Sequence, residues 1–217
     1  MLPSSTTIGV NNNNALQDDD EGVVDEAINF ISSAQKWLRK AGGSAEQSAG
    51  LEAQLASYIV STLGWRSVGR AAPHFALAPP DQLPFFSKIL KEAVSHGKPD
   101  WQEEDLFLAR AALQMAATGG RSEATLLAAQ SLIKEVYTKA TNRKVPDTPL
   151  MHFVEMFLEA IKLGSRDLVA VVMSKYRGSL EKRDAGLIEL VDRVRTGRME
   201  VPGGGGGLGG LLGGLLG

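Results

Sequence analysis

The chain has no cysteine among its 217 residues. Disulfides, thiol nucleophiles and thiolate zinc sites are therefore excluded, and a reducing compartment, the cytosol, fits best. An excess of charge is missing as well. The formal net charge is -2, whereas neutralising a phosphate backbone needs a clear basic surplus, so a nucleic-acid binder is not expected. No apolar run approaches the roughly 20 residues of a membrane-spanning helix. The opening stretch MLPSSTTIGVNNNNALQDDDEG has neither a basic segment nor an apolar one, so no secretory signal is expected there. Alternation of apolar and polar residues, the mark of a half-buried strand, is absent throughout.

Catalytic patterns are missing in the same way. The three histidines, His74, His96 and His152, are isolated from one another, and no HExxH-like pair places two ligands on one helix face. The glycine pairs Gly42–Gly43 and Gly119–Gly120 follow no strand, so they stop helices and do not cradle phosphate. Glu155 and Glu159 lie one helical turn apart, but nothing near them in sequence would raise the pKa of either, and they read as a solvated face. Ser131 and Ser174 have no adjacent base and no nucleophile elbow. Neither an enzyme, a cofactor nor a metal is expected.

What is present is helix, written most clearly in TPLMHFVEMFLEAIKLG, residues 148 to 164. Thr148 can cap this helix, Pro149 suits its first turn and Gly164 its exit. Leu150, Phe153, Val154, Phe157, Leu158 and Ile161 follow the i, i+3, i+4, i+7 stripe of a helix packed against others. Glu155, Glu159 and Lys162 take the wetter side. This stretch is expected at the centre of a layered helical array.

Other helices are expected before and after it. An acidic run, Asp18 to Glu21, favours a helix start near Asp20, with Val24, Ala27, Ile28, Ile31, Ala34 and Leu38 as its stripe. Ser44 can cap a second helix to Leu63, with Leu51, Leu55, Tyr58 and Ile59 buried. A shorter one over Trp65 to Leu77 is weakened by Gly69 and Pro73. Asp81 can cap a helix from Gln82 to Ser95, and Asp100 one from Trp101 to Thr118. That last helix is small-sided, with Ala109, Ala111, Ala112, Ala116 and Ala117, so neighbours can approach closely. Ser122 caps a helix to about Ala140, Ser165 one to Tyr176, and Asp184 opens a final helix carrying Leu187, Leu190, Val191 and Val194.

Helix starts near 45, 81, 121 and 165 recur at irregular intervals of repeat length, which predicts an all-α fold, an α-solenoid of irregular, tetratricopeptide-like helix pairs without a sheet. Residues 1–19 are expected to be a disordered lead-in, 20–200 the helical-repeat domain, and 201–217 a flexible tail rich in glycine and leucine. In that tail Leu208, Leu211, Leu212, Leu215 and Leu216 keep helical spacing while the glycines oppose a helix by roughly 1 kcal/mol each. Either its leucines dock on a groove, or it is a low-complexity end. The run from Lys175 to Arg198 mixes basic and acidic residues, as an ordinary wet helix surface does.

Two stretches, EEDLFLARAALQ from Glu103 and PLMHFVEMFLEAIKLGSRDLVAVVMSKYRGSLEKRD from Pro149, resemble the Golgi to ER traffic protein 4 family. Feature order agrees too: a central Pro-Leu helix, Tyr176, then Ser179 and Leu180 before Arg183 and Asp184, a short last helix, Val201 and Pro202, and a Gly-Leu tail. Weaker similarity reaches back to Ala34, Lys36 and Trp37. The resemblance implies a non-catalytic cytosolic scaffold in targeting tail-anchored membrane proteins to the endoplasmic reticulum. It implies, as partners on the C-terminal helices, a ubiquitin-like protein akin to Golgi to ER traffic protein 5 and, in animals, a BAG-family chaperone regulator. The chain departs from the family by starting about where the family's middle begins. The N-terminal helices that engage the targeting ATPase are thus expected to be missing, which removes the basis for expecting that contact.

The expected docking region is Thr148 to Thr196, using apolar side chains left over from internal packing. Met156, Tyr176, Leu187 and Leu190 are the exposed candidates. An unrelated helical-repeat scaffold of a proteasome, signalosome or trafficking complex is the alternative.

Overall fold

The computed structural model of the chain describes residues 12–96 and 102–199, with side chains from residue 19 and, in the second segment, from residue 104. Ten α-helices follow one another among the described residues: α1 (Asn12–Lys40), α2 (Ala45–Leu63), α3 (Val68–Leu77), α4 (Leu83–His96), α5 (Gln102–Ala117), α6 (Glu123–Ser131), α7 (Tyr137–Thr141), α8 (Pro149–Lys162), α9 (Arg166–Arg183) and α10 (Ala185–Met199). Single 3₁₀ turns precede α3 and α4, and a π segment, Leu132–Val136, joins α6 to α7. No strand occurs among the described residues. The expected all-α solenoid is what the chain forms.

Local signals account for most boundaries. Ser44 accepts from the Gln47 N–H at 3.2 Å while the Gln47 side chain accepts from the Ser44 N–H at 2.8 Å, so α2 opens on a full capping box. Thr148 accepts from the Met151 N–H at 3.4 Å, and Gly164 leaves α8 with φ 64°, a conformation that a Cβ disfavours. Two boundaries differ from expectation. α1 starts at Asn12, so the lead-in expected over residues 1–19 is helical in its second part, and the acidic run lies inside the helix. Residues 1–11, the tail from 200, and Asp100, the expected cap of α5, lie outside the described residues.

α9 does not stop at Tyr176; it continues to Arg183. Gly178 is too weak a breaker there, because burial of Leu180 and the Arg177–Glu181 pair at 2.9 Å hold the extra turns.

Packing runs from layer to layer: α1 on α2, α2 on α3, α3 on α5, then α8 on α9 and α9 on α10. The hub, however, is α5 and not the expected α8. α5 touches α3, α4, α6, α8 and α10. Ala109, Ala111, Ala112 and Ala116 are fully buried or nearly so, and their small side chains let several helices approach one axis. α8 forms an adjoining layer, with all six stripe residues buried and Phe153 stacked on Phe157 at 5.4 Å between ring centroids.

Candidate interaction surface

The C-terminal unit α8, α9 and α10 is tied to the hub by charge pairs that bridge distant parts of the chain. Asp105 of α5 accepts from Arg183 at 2.8 Å, and Asp184 accepts from Arg110 at 2.7 Å, so the α9–α10 corner is pinned on α5 from both sides. Deeper in, Glu104 accepts from the Tyr137 hydroxyl at 2.6 Å and from Arg143 at 2.7 Å. Burial, and then the hydrogen bond to the Glu104 carboxylate, push the Tyr137 phenol well above its ordinary range. At the far end Arg198 donates to the carbonyl oxygens of Ala116 at 2.7 Å and Ser122 at 2.9 Å, and to Thr125 Oγ1 at 2.7 Å. Desolvation lowers its pKa.

Against this frame the four candidate residues divide. Met156 projects from α8 with 40% of its surface exposed. Tyr176 is half-buried, its ring 5.8 Å from that of Phe153, and it borders a groove of about 290 Å³ between α8 and α9. Leu187 and Leu190 are not exposed. They are 0% and 7% accessible, because α10 folds back across α5 and turns its leucine face into the core. The α8–α9 hairpin does leave Leu163 (64%), Leu168 (47%) and Val171 (65%) outside, none of them a docking candidate from the sequence, and α1 exposes Phe30 and Trp37 as well. No local signal marks the hairpin residues, since single exposed apolar residues are ordinary and only tertiary neighbours tell them from buried ones.

The remaining candidates for chemistry stay apart. His74 lies 2.7 Å from the buried Glu52, His96 stacks on Trp65 with centroids 5.6 Å apart, and His152 meets Asp147 at 2.6 Å. No group of three or more metal-ligating side chains forms among the described residues. Glu159 accepts from Gln130 at 2.9 Å and is employed in holding α6 to α8. Among the described residues no helix is long and apolar enough to cross a membrane.

Irregular helix pairs stacked on a small-residue hub, with no metal-ligating cluster among the described residues, define a helical-repeat protein. The family model described as Golgi to ER traffic protein 4 matches residues 10–216, and the chain belongs to that family. That membership sets aside the unrelated-scaffold alternative. The fold is shared with a solved structure titled "Crystal structure of C. therm. Get4", at 19% identity and a TM-score of 0.57, over 87% of this chain and 62% of that one. The chain thus spans less than two thirds of the solved structure that it matches. No curated protein matches.

Proposed function

We propose that the chain is a non-catalytic cytosolic adaptor in the targeting of tail-anchored membrane proteins to the endoplasmic reticulum, docking a ubiquitin-like partner on α8 and α9. The observation that carries this reading is the family match, which runs through α8, α9 and α10. Apolar side chains exposed on the same helices support it. Met156 on α8 and Leu163 at its C-terminal cap stand seven residues apart, and Leu168 and Val171 one turn apart on α9, so apolar side chains flank a single helix hairpin. Tyr176 adds an aromatic rim with a hydroxyl, a frequent anchor at interfaces. Leu187 and Leu190 serve only as support beneath α10. A BAG-family regulator would compete for this hairpin or occupy the α9–α10 side.

The test is isothermal titration of the full chain with the ubiquitin-like partner, repeated for the double variant Met156→Glu with Val171→Glu. Saturable one-to-one binding, lost in a variant of unchanged helicity, supports the reading. A folded chain that fails to bind overturns it.

A further inference from the structure

A second apolar feature shares no residue with the α8–α9 hairpin. A groove of about 470 Å³ runs between the start of α2, the bend joining α3 to α4 and the start of α6. Its walls are small and apolar: Ala45 and Ala49 on one side, Pro79 and Pro80 at the bend, Ala124 and Ala128 opposite. Leu77 stands in it with 37% of its surface exposed, and Glu46 is its one charged lining residue. Nothing among the described residues fills it.

The C-terminal helix ends beside this groove. Arg198, the penultimate residue of α10, is held by Ser122 and Thr125, and both of those residues also line the groove. Gly197 comes close to Gly120 on the same corner. The described end of α10, Met199, therefore lies next to the α6 wall. From Val201 to Gly217 no side chain is charged, and the leucines at 208, 211, 212, 215 and 216 recur at intervals that share one helix face. The eight residues from Glu200 to Gly207 can span about 26 Å when extended, more than the roughly 10 to 12 Å width of the α6 helix they must pass.

We propose that the Gly/Leu tail, residues 208–216, occupies this groove in cis. Its glycines oppose a helix in isolation, so the leucine face forms only where the groove supplies apolar contact. The same glycines let the tail backbone approach walls made of alanine and proline, where a bulkier segment would be held off. A short tether makes the event intramolecular, with an effective concentration in the millimolar range, which favours this segment over any competitor in dilute solution. The groove and the hairpin of α8 and α9 are separate surfaces, so this inference stands or falls apart from the partner reading.

Hydrogen exchange of the full chain tests it, against a variant with all five tail leucines changed to serine. Amides of Ala78, of residues 81–83 and of residues 124–128 should exchange slower in the parent by on the order of tenfold, and by the same factor on dilution. In the reverse experiment Ala124→Arg, an exposed position that leaves the core untouched, should speed exchange of amides 208–216. Equal exchange in parent and serine variant, with tail amides unprotected in both parent and Ala124→Arg, overturns the proposal. Protection that fades on dilution also overturns it, since a second copy's tail would then be the occupant.

Discussion

Tyr137 donates its hydroxyl hydrogen to Oε1 of Glu104 at 2.6 Å, joining the start of α7 to the first turn of α5 inside the core. Arg143 donates to the other carboxylate oxygen at 2.7 Å. The carboxylate is thus satisfied from two sides although it is buried, which is the condition under which a buried charge is tolerated.

Replacing Tyr137 by Phe removes one of those donors and should cost about 1 to 3 kcal/mol in urea unfolding at pH 7. The pH dependence carries a sign. The folded phenol titrates above its unfolded value of about 10, so its contribution is complete below that pH and is lost as pH rises through the folded value. Unfolding free energy of the parent should therefore decline from about pH 10 upward more steeply than that of Tyr137→Phe. Parallel alkaline slopes would count against the assignment.

Arg198→Lys should loosen α10 although charge is kept. A single ammonium cannot reproduce the planar fork that reaches Ala116, Ser122 and Thr125 together. Amide exchange along 185–199 should quicken, and stability should fall by about 1 to 2 kcal/mol.

Within α8 the cap and the core separate by magnitude. Thr148→Ala should cost about 0.5 to 2 kcal/mol, the range for a lost N-cap. Phe153→Ala should cost about 3 to 5 kcal/mol, since Phe153 is fully buried between Phe157 and Tyr176. Denaturant midpoints of the two variants should fall in that order.

Met156→Ala and Leu187→Ala should have opposite signatures. The first should change stability by less than about 0.5 kcal/mol and weaken binding of the proposed ubiquitin-like partner; the second should cost about 2 to 5 kcal/mol. After correction for the unfolded fraction, Leu187→Ala should leave affinity unchanged. Thermal melts paired with titration calorimetry check both.

Much of the fold could be read in the chain because helix boundaries are short-range events. Ser44, Thr148, Ser165 and Gly164 act where their residue types place them, and the six-residue stripe of α8 is buried as its period requires. The surface was harder to read. Leu187 and Leu190 share the apolar character of Met156 and Val171, and only the path of α10 back across α5 separates buried from exposed. Leu163, Leu168 and Val171 stayed hidden for the same reason, since an apolar residue off the stripe has no meaning until its neighbours are known.

By itself, then, the sequence determined the helical class, most helix limits and the inward face of α8, because capping and 3.6-residue periodicity act within a turn or two. The tertiary structure alone decided that α5 is the hub and that the α8–α9 hairpin keeps apolar side chains outside. It also set the end of α10 beside an apolar groove. Those outcomes depend on contacts between residues tens of positions apart, such as Arg198 with Ser122 and Arg183 with Asp105, which no local pattern encodes.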